Sequence, residues 1–350
     1  MVSSGEERAA QGGESAALTR STPTREQRDR LAQKKRPSYA VRAWRRFKRN
    51  RLSLISMVVF LIMVLFSYGA PLISQYVTKT GSDDQNLQAT FAPAGKTISA
   101  IQIGGAKSGQ TVTTKYILGA DELGRDVLTR LAYGGRISLT VSFLTLAIAL
   151  TVGLLVGALA GYYGGWVDTI LMRLVDVFIS IPGLFVLILV STTINNNKLI
   201  TGTDFYRNNG WLVLPFVIAV LSWTGISRLI RGEFMALKGR DYVEAARVLG
   251  SNDRRIIFRH ILPNVLPIII VWATLAVPGL ILTEAALSYL SFGVQIPTPS
   301  WGNMLTNSTQ YFSRSPGLVV LPGALIFITT MAVNLMGNGL RDALDPRLND

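Results

Sequence analysis

Six runs of about 20 residues, near 52–74, 137–161, 170–194, 211–230, 264–287 and 317–337, are almost wholly apolar, and polar segments separate them. A helix crossing a hydrocarbon core of about 30 Å needs roughly 20 such residues, so the pattern predicts six membrane-spanning helices. Several runs contain Gly or Pro, which membrane helices tolerate because neighbours re-satisfy the freed backbone groups. Pro182 in the third run and Pro278 with Gly279 in the fifth predict kinks. The second run sets Gly153, Gly157 and Gly161 four residues apart on one helical face. Such a stripe lets two helix backbones approach closely, either within the chain or across a subunit interface.

The polar segments orient these spans. Residues 1–38 are rich in Gly, Ser, Thr, Gln and charge, the composition of a disordered tail. Over 39–51, Val41, Trp44 and Phe47 are set among Arg42, Arg45, Arg46, Lys48 and Arg49, which predicts a basic interfacial helix. The run at 52–74 lies behind that tail and is longer than the apolar core of a cleavable signal, so it reads as a retained anchor.

Composition reinforces the membrane reading: 49% of the 350 residues are hydrophobic and only 16% charged, against nearer a quarter charged in soluble domains. The net charge of +14 is concentrated, with 14 Lys or Arg against 5 acids in residues 1–51. Basic residues beside a span are retained on the cytoplasmic side. Segment 228–263 carries eight Lys or Arg, whereas 195–210 and 288–316 carry two and one. The 75–136 loop carries seven, but loops that long say little about orientation. The expected layout is a prokaryotic cytoplasmic membrane with both termini inside, an external loop at 75–136, a five-helix core over 137–340 with an internal loop at 231–263, and a short inner tail at 341–350. The charge meets lipid headgroups, and no aromatic-basic platform accompanies it, so no nucleic-acid partner is expected.

Enzyme chemistry finds little support. The absence of Cys excludes disulfides and thiolate metal sites. His260 is the single histidine and is expected to be structural. Gly104-Gly105-Ala106-Lys107-Ser108-Gly109 is superficially like a phosphate loop, but Ala106 stands where that pattern requires Gly. No catalytic residue, metal ligand or cofactor is expected in this chain. Arg173, Asp176 and Glu284 lie within or at the ends of apolar runs, where charge is costly and marks candidates for function. Arg173 and Asp176, three apart, share a face and are expected to neutralise each other. Glu284 lacks a local partner and either hydrogen-bonds another span or lines a passage.

The segment 241–263 differs from an ordinary inner connection. Tyr242, Ala245, Ala246 and Leu249 recur at helical spacing, Gly250 suits a left-handed C′ position, and Ser251 or Asn252 caps a second helix with Asp253 in its first turn. That second helix is expected to run through Ile256, Ile257 and Phe258 towards Pro263. A helix–turn–helix of this kind fits either a helix-in-groove contact with a protein or contact with lipid headgroups.

Glu244-Ala245-Ala246, Gly250 four residues on, and His260-Ile261-Leu262-Pro263 after nine more resemble the EAA loop of ABC-importer permeases. Leu118-Gly119-Ala120-Asp121-Glu122-Leu123-Gly124-Arg125-Asp126 with Gly135-Arg136-Ile137-Ser138-Leu139, Pro297-Thr298-Pro299-Ser300-Trp301-Gly302, and Gly339-Leu340-Arg341-Asp342-Ala343-Leu344-Asp345-Pro346-Arg347 are similar to further signatures of the dipeptide/oligopeptide (peptide/nickel) group, in particular its dipeptide permease C-type subunit. Asn338 stands where that group has Asp. The resemblance covers nearly everything from residue 40 onward. It implies an all-α, six-helix, type I importer fold that pairs with a homologous permease subunit. Further expected partners are two cytoplasmic ATP-binding subunits, which hold the ATP and Mg, and an extracytoplasmic solute-binding protein. Glu244, Ala245, Ala246, Leu249 and Gly250 are then the residues that couple to the ATPase. The expected cargo is di- or oligopeptide. Nickel or glutathione is the alternative within the group, and an ion-coupled secondary transporter the alternative outside it. The latter needs intramembrane carboxylates and broken midplane helices, and only Glu284 and Asp176 are available.

Overall fold

The computed structural model describes residues 39–105 and 108–345. The tail expected at 1–38 lies outside the described residues, as do 346–350. The chain divides into two units at Arg45/Arg46. Helix α1 (Tyr39–Arg49) crosses that boundary and ends at Asn50, whose side chain caps α2 (Arg51–Tyr68) by accepting from the amides of Leu52 at 3.1 Å and Ser53 at 3.3 Å. Further along come α3 (Val127–Tyr163), α4 (Gly165–Ser180), α5 (Gly183–Asn196), α6 (Val213–Lys238), α7 (Asp241–Val248), α8 (Leu262–Tyr289) and α9 (Gly317–Leu344).

Five of these helices are long and apolar enough to cross a membrane, and α4 with α5 forms a sixth apolar unit bent by 87°. The third run was expected as one kinked span over 170–194. Instead Ile181 and Pro182 break it outright, because Pro182 supplies no amide and the residue before a proline is driven to extended backbone. The bent pair nevertheless runs from one end of the bundle to the other. Asp168 near its start pairs with Arg231 near the C-terminus of α6, and Ser191 near its finish bonds the carbonyl of Phe292 just beyond the C-terminus of α8. Counted in this way the traverses alternate six times. Pro267 and Pro278 lie inside α8, which continues through both.

Several expected boundaries move. The second helix begins at Val127, ten residues before the apolar run at 137, since Asp126 caps it by accepting from the Thr129 amide at 2.8 Å. The expected inner loop 231–263 begins as helix, α6 continuing to Lys238. The all-α expectation also gains an exception. Within the 75–136 loop, β1 (Lys96–Ile101) and β2 (Thr111–Tyr116) form an antiparallel hairpin in register from Lys96↔Tyr116 to Ile101↔Thr111. Their Thr- and Ile-rich alternation suits a half-buried strand. The Gly104–Gly109 stretch joins these strands, whereas a phosphate loop would lead into a helix.

The glycine stripe packs within the chain. A Cβ at Gly153 would meet Ile226 and lie 2.9 Å from the Trp223 carbonyl oxygen. At Gly157 it would strike the Ser227 carbonyl and stand 2.9 Å from Ile230 Cβ, and at Gly161 it would stand 2.6 Å from the Arg231 carbonyl. The stripe thus seats α3 on α6 along three helical turns. Elsewhere Gly339 of α9 sits against Ser53 of α2, and Gly135 of α3 against Ser67 and Trp301.

Candidate functional site

At the end of the bundle where α3 and α6 finish, α7 is held by few contacts. Asp241 and Glu244 in its first turn complement the helix dipole. Val243 and Ala246, three apart, are its buried residues, and Val243 joins a cluster with Tyr162, Ile230, Phe234, Ile256 and Ile261. Its end is a Schellman turn: Gly250 N–H bonds the Arg247 carbonyl at 3.0 Å, and Ser251 N–H bonds the Ala246 carbonyl at 3.0 Å. Gly250 has φ +78°, and nothing lies within 4 Å of a Cβ built there. Its glycine therefore answers to backbone conformation within this chain and leaves open surface beside it.

The small apolar face expected over Tyr242, Ala245, Ala246 and Leu249 is divided by the structure. Ala246 turns inward with Val243, which the sequence reading left out. Tyr242, Ala245 and Leu249 face outward, joined by Val248, and the last two are 85% and 88% exposed. Glu244 is also exposed and, among the described residues, makes no ion pair. Asn252 caps the next turn by accepting from the Arg255 amide at 3.0 Å, as expected of Ser251 or Asn252. The helix that follows does not stop near Pro263. It passes through a π-helical stretch (Ile256–Ile261) into α8, with Pro263 in the first turn of α8. Phe258 and the exposed Arg254 and Arg255 extend the outer surface. The His260 carbonyl accepts from Asn264 Nδ2 at 2.6 Å.

The intramembrane charges pair differently from expectation. Asp176 accepts from Arg228 of α6 at 2.6 Å, not from Arg173, which is exposed. One turn or more below, Arg231 grips Asp168 with both guanidinium arms, Nη2 to Oδ2 at 2.6 Å. Both pairs join positions more than fifty residues apart, so no local spacing betrays them. Glu284 is fully buried and accepts from Ser288 Oγ at 2.7 Å, with the Ser138 and Ser300 side chains nearby. Beside it Trp301, fully buried, donates from Nε1 to the Leu131 carbonyl at 2.9 Å and from its amide to Ser138 Oγ at 3.1 Å. Glu284 thus sits beside the Trp301 contact that fastens the 288–316 segment to α3, and its hydrogen bond from Ser288 lies within its own helix.

At that same end the Leu118–Asp126 motif forms an ionic knot. Arg125 Nε bonds Asp121 at 2.7 Å and Nη2 bonds Glu122 at 3.0 Å, while Arg130 donates to the Ser82 carbonyl at 3.0 Å and lies 3.5 Å from Asp121. Burial pushes the Asp126 carboxyl above its ordinary range, opposed by its bonds to Thr129. A cavity of about 280 Å³ separates this knot from the 288–316 segment. A wider groove of about 410 Å³ lies between α5, α6 and α8, lined by Leu184, Leu187, Leu221, Ser222, Leu282 and Thr283 among others and by no ionisable side chain.

Known proteins match most of the chain. Residues 153–350 match the family described as binding-protein-dependent transport system inner membrane component, and residues 38–93 match the N-terminal TM domain of oligopeptide transport permease C. The chain is 38% identical over 306 residues to the oligopeptide transport system permease protein OppC of Escherichia coli, covering 87% of this chain and 90% of that one. It is 37% identical over 305 residues to the dipeptide transport system permease protein DppC of Haemophilus influenzae, covering 87% and 94%. To the glutathione transport system permease protein GsiD of Pectobacterium atrosepticum it is 32% identical over 305 residues, covering 87% and 90%.

Proposed function

The chain belongs to the family of binding-protein-dependent transport system inner membrane components, and on that premise we propose that it is one of two permease subunits through which an ATP-driven importer moves di- and oligopeptides. The observation that carries the docking part of this reading is the outward face of α7. Val248 and Leu249 are among the most exposed large apolar residues of the chain, flanked by Arg254, Arg255 and Phe258. An apolar ridge with a basic rim, standing on a buried Val243–Ala246 foot, suits insertion into a groove of a partner protein better than lipid contact. That partner is the ATP-binding subunit, in two copies, holding the ATP and Mg. Glu244, Ala245, Leu249 and Gly250 meet it, and Ala246 fixes the helix beneath.

This face lies on the cytoplasmic side with both chain termini, and the β-hairpin end meets a solute-binding protein outside. The groove between α5, α6 and α8 supplies this chain's half of the path, the homologous permease supplying the other. A wall of aliphatic and hydroxyl groups admits peptides with little regard to side-chain charge, and it offers no carboxylate to bind a coupling ion. The test is uptake into proteoliposomes holding both permeases and both ATPases, with binding protein outside and a mixture of tripeptides as cargo. Uptake that requires ATP and binding protein is expected, and glutathione added as competitor reports whether that tripeptide shares the path. Uptake that survives ATP depletion and collapses with an ionophore refutes the reading.

A further inference from the structure

We propose that Tyr162 is a positioning residue through which movement of the docking segment enters the membrane helices. The proposal rests on the docking reading above and adds a route for the force. Tyr162 is the penultimate residue of α3, 3% exposed, and its hydroxyl donates to Asp253 Oδ1 at 2.6 Å. Asp253 opens the turn that follows Gly250, so this bond spans 91 positions of sequence to reach the far half of the docking segment. The Arg247 guanidinium of α7 lies beside the same hydroxyl. Lys238 Nζ, from the last residue of α6, stands 5.6 Å over the ring, and the ring packs in the cluster that holds Val243, Ile256 and Ile261. One side chain therefore touches the ends of α3 and α6 and both halves of the docking segment.

The rest of the geometry makes that contact consequential. The glycine stripe binds α3 to α6 backbone to backbone, so these two helices move as one body. Between that body and α7 lie only Gly239 and Arg240, with α7 resting on Val243 and Ala246. Apolar contacts of this kind resist compression but slide, whereas a charge-assisted hydrogen bond has a fixed direction. The Tyr162–Asp253 bond prevents the docking segment from slipping along the helix ends when the ATPases draw together.

Tyr162→Phe isolates the hydroxyl. The ring still fills its place, and Asp253, which is exposed, is rehydrated, so the fold and the assembly should survive. In the reconstituted complex, ATP hydrolysis by Tyr162→Phe is expected to stay within about twofold of wild type. Peptide moved per ATP should fall about fivefold or more, the lower range of coupling between sites. Asp253→Ala should give the same loss, and the double variant should be no worse than either single one, since both remove one bond. An unchanged peptide-to-ATP ratio in Tyr162→Phe overturns the proposal, as does a double variant whose losses multiply. Leu249→Asp, on the outward face, separates this outcome from failure of the docking reading. It should release the ATPases from the purified complex, and if it retains them and transports normally the docking reading fails, whatever Tyr162→Phe does.

Discussion

Replacing Gly157 by alanine sets two effects against each other with opposite signs. Glycine inside a helix is worse than alanine by about 1 kcal/mol, so propensity alone predicts stabilisation. The space at Gly157 predicts the reverse. Its Cβ would collide with the Ser227 carbonyl and stand 2.9 Å from Ile230 Cβ, 0.5 Å short of the 3.4 Å at which ordinary contact begins (3.4 − 2.9). A carbonyl held in the α6 ladder cannot rotate away, so the helices must separate, and Gly153 and Gly161 lose their contacts with it. Overpacking of this kind costs about 1–3 kcal/mol, and contact with backbone puts this site at the upper end. The net loss is about 2 kcal/mol, a fall of roughly 4–8 °C in the thermal midpoint at 2–4 °C per kcal/mol. Fluorescence-detected melting of the purified permease in detergent reads it directly. Gly232 of the same helix pair has nothing within 4 Å of its Cβ, so Gly232→Ala should hold or raise the midpoint. A Gly157→Ala protein that melts at or above wild type, in step with Gly232→Ala, refutes the packing account.

Other perturbations test other parts. Trp301→Phe removes the Nε1 bond to the Leu131 carbonyl, costing about 1–3 kcal/mol, and should expose the 288–316 segment to protease while leaving ATPase binding unchanged. Gly124→Ala places a Cβ against the Asn86 carbonyl at φ +70°, and should loosen the 79–126 module, seen as early proteolysis there. Arg231→Lys keeps the charge but loses the two-armed grip on Asp168, and should lower the melting midpoint more than Arg228→Lys, whose single bond to Asp176 is about half exposed. Burial raises the Asp126 carboxyl in the folded protein above its unfolded value near 3.9, so the folded state binds that proton more readily. Its contribution is therefore most favourable below about pH 4 and declines as pH rises through the raised value. Asp126→Asn, which caps equally well, should flatten the module's protease resistance between pH 4 and 7, and an unchanged slope would count against the assignment.

What the sequence revealed follows the range of each interaction. The apolar runs, the Gly250 turn and the Asn252 cap are set by neighbours within a few residues, and each was legible. The outward turn of Leu249 and inward turn of Val243 were not, because an eight-residue helix with apolar groups on both sides has no dominant face until α6 and α8 choose one. Arg173 and Asp176 satisfied the helical spacing rule for an ion pair, yet Arg228 on a packed neighbour took the partner. Tyr162 carried no signal at all, since Asp253 lies 91 positions away. The hairpin escaped notice because Thr-rich alternation over six residues is too short to stand out in a polar loop.

The packing also distinguishes two parts of the bundle. Helix α3 has 37 residues, about 55 Å at 1.5 Å each, so it outreaches a 30 Å hydrocarbon core by roughly 25 Å. Its first turn is capped inside the ionic knot of Asp121, Arg125 and Arg130, and its last turn carries Tyr162 against the docking segment. Between these ends the glycine stripe welds it to α6. On the proposed reading, a partner bound at either end would act on the same closely packed pair of helices. The bent pair α4–α5 differs. It is broken at Pro182, it is tied to α6 near its start by the Arg228 and Arg231 ion pairs, and α5 borders the charge-free groove. Rotation of the α3–α6 body would be carried into α4 by those pairs and change the angle at Pro182, so the groove widens or narrows through α5. On the proposed reading, the docking face and the groove are then joined through Arg228 and Arg231.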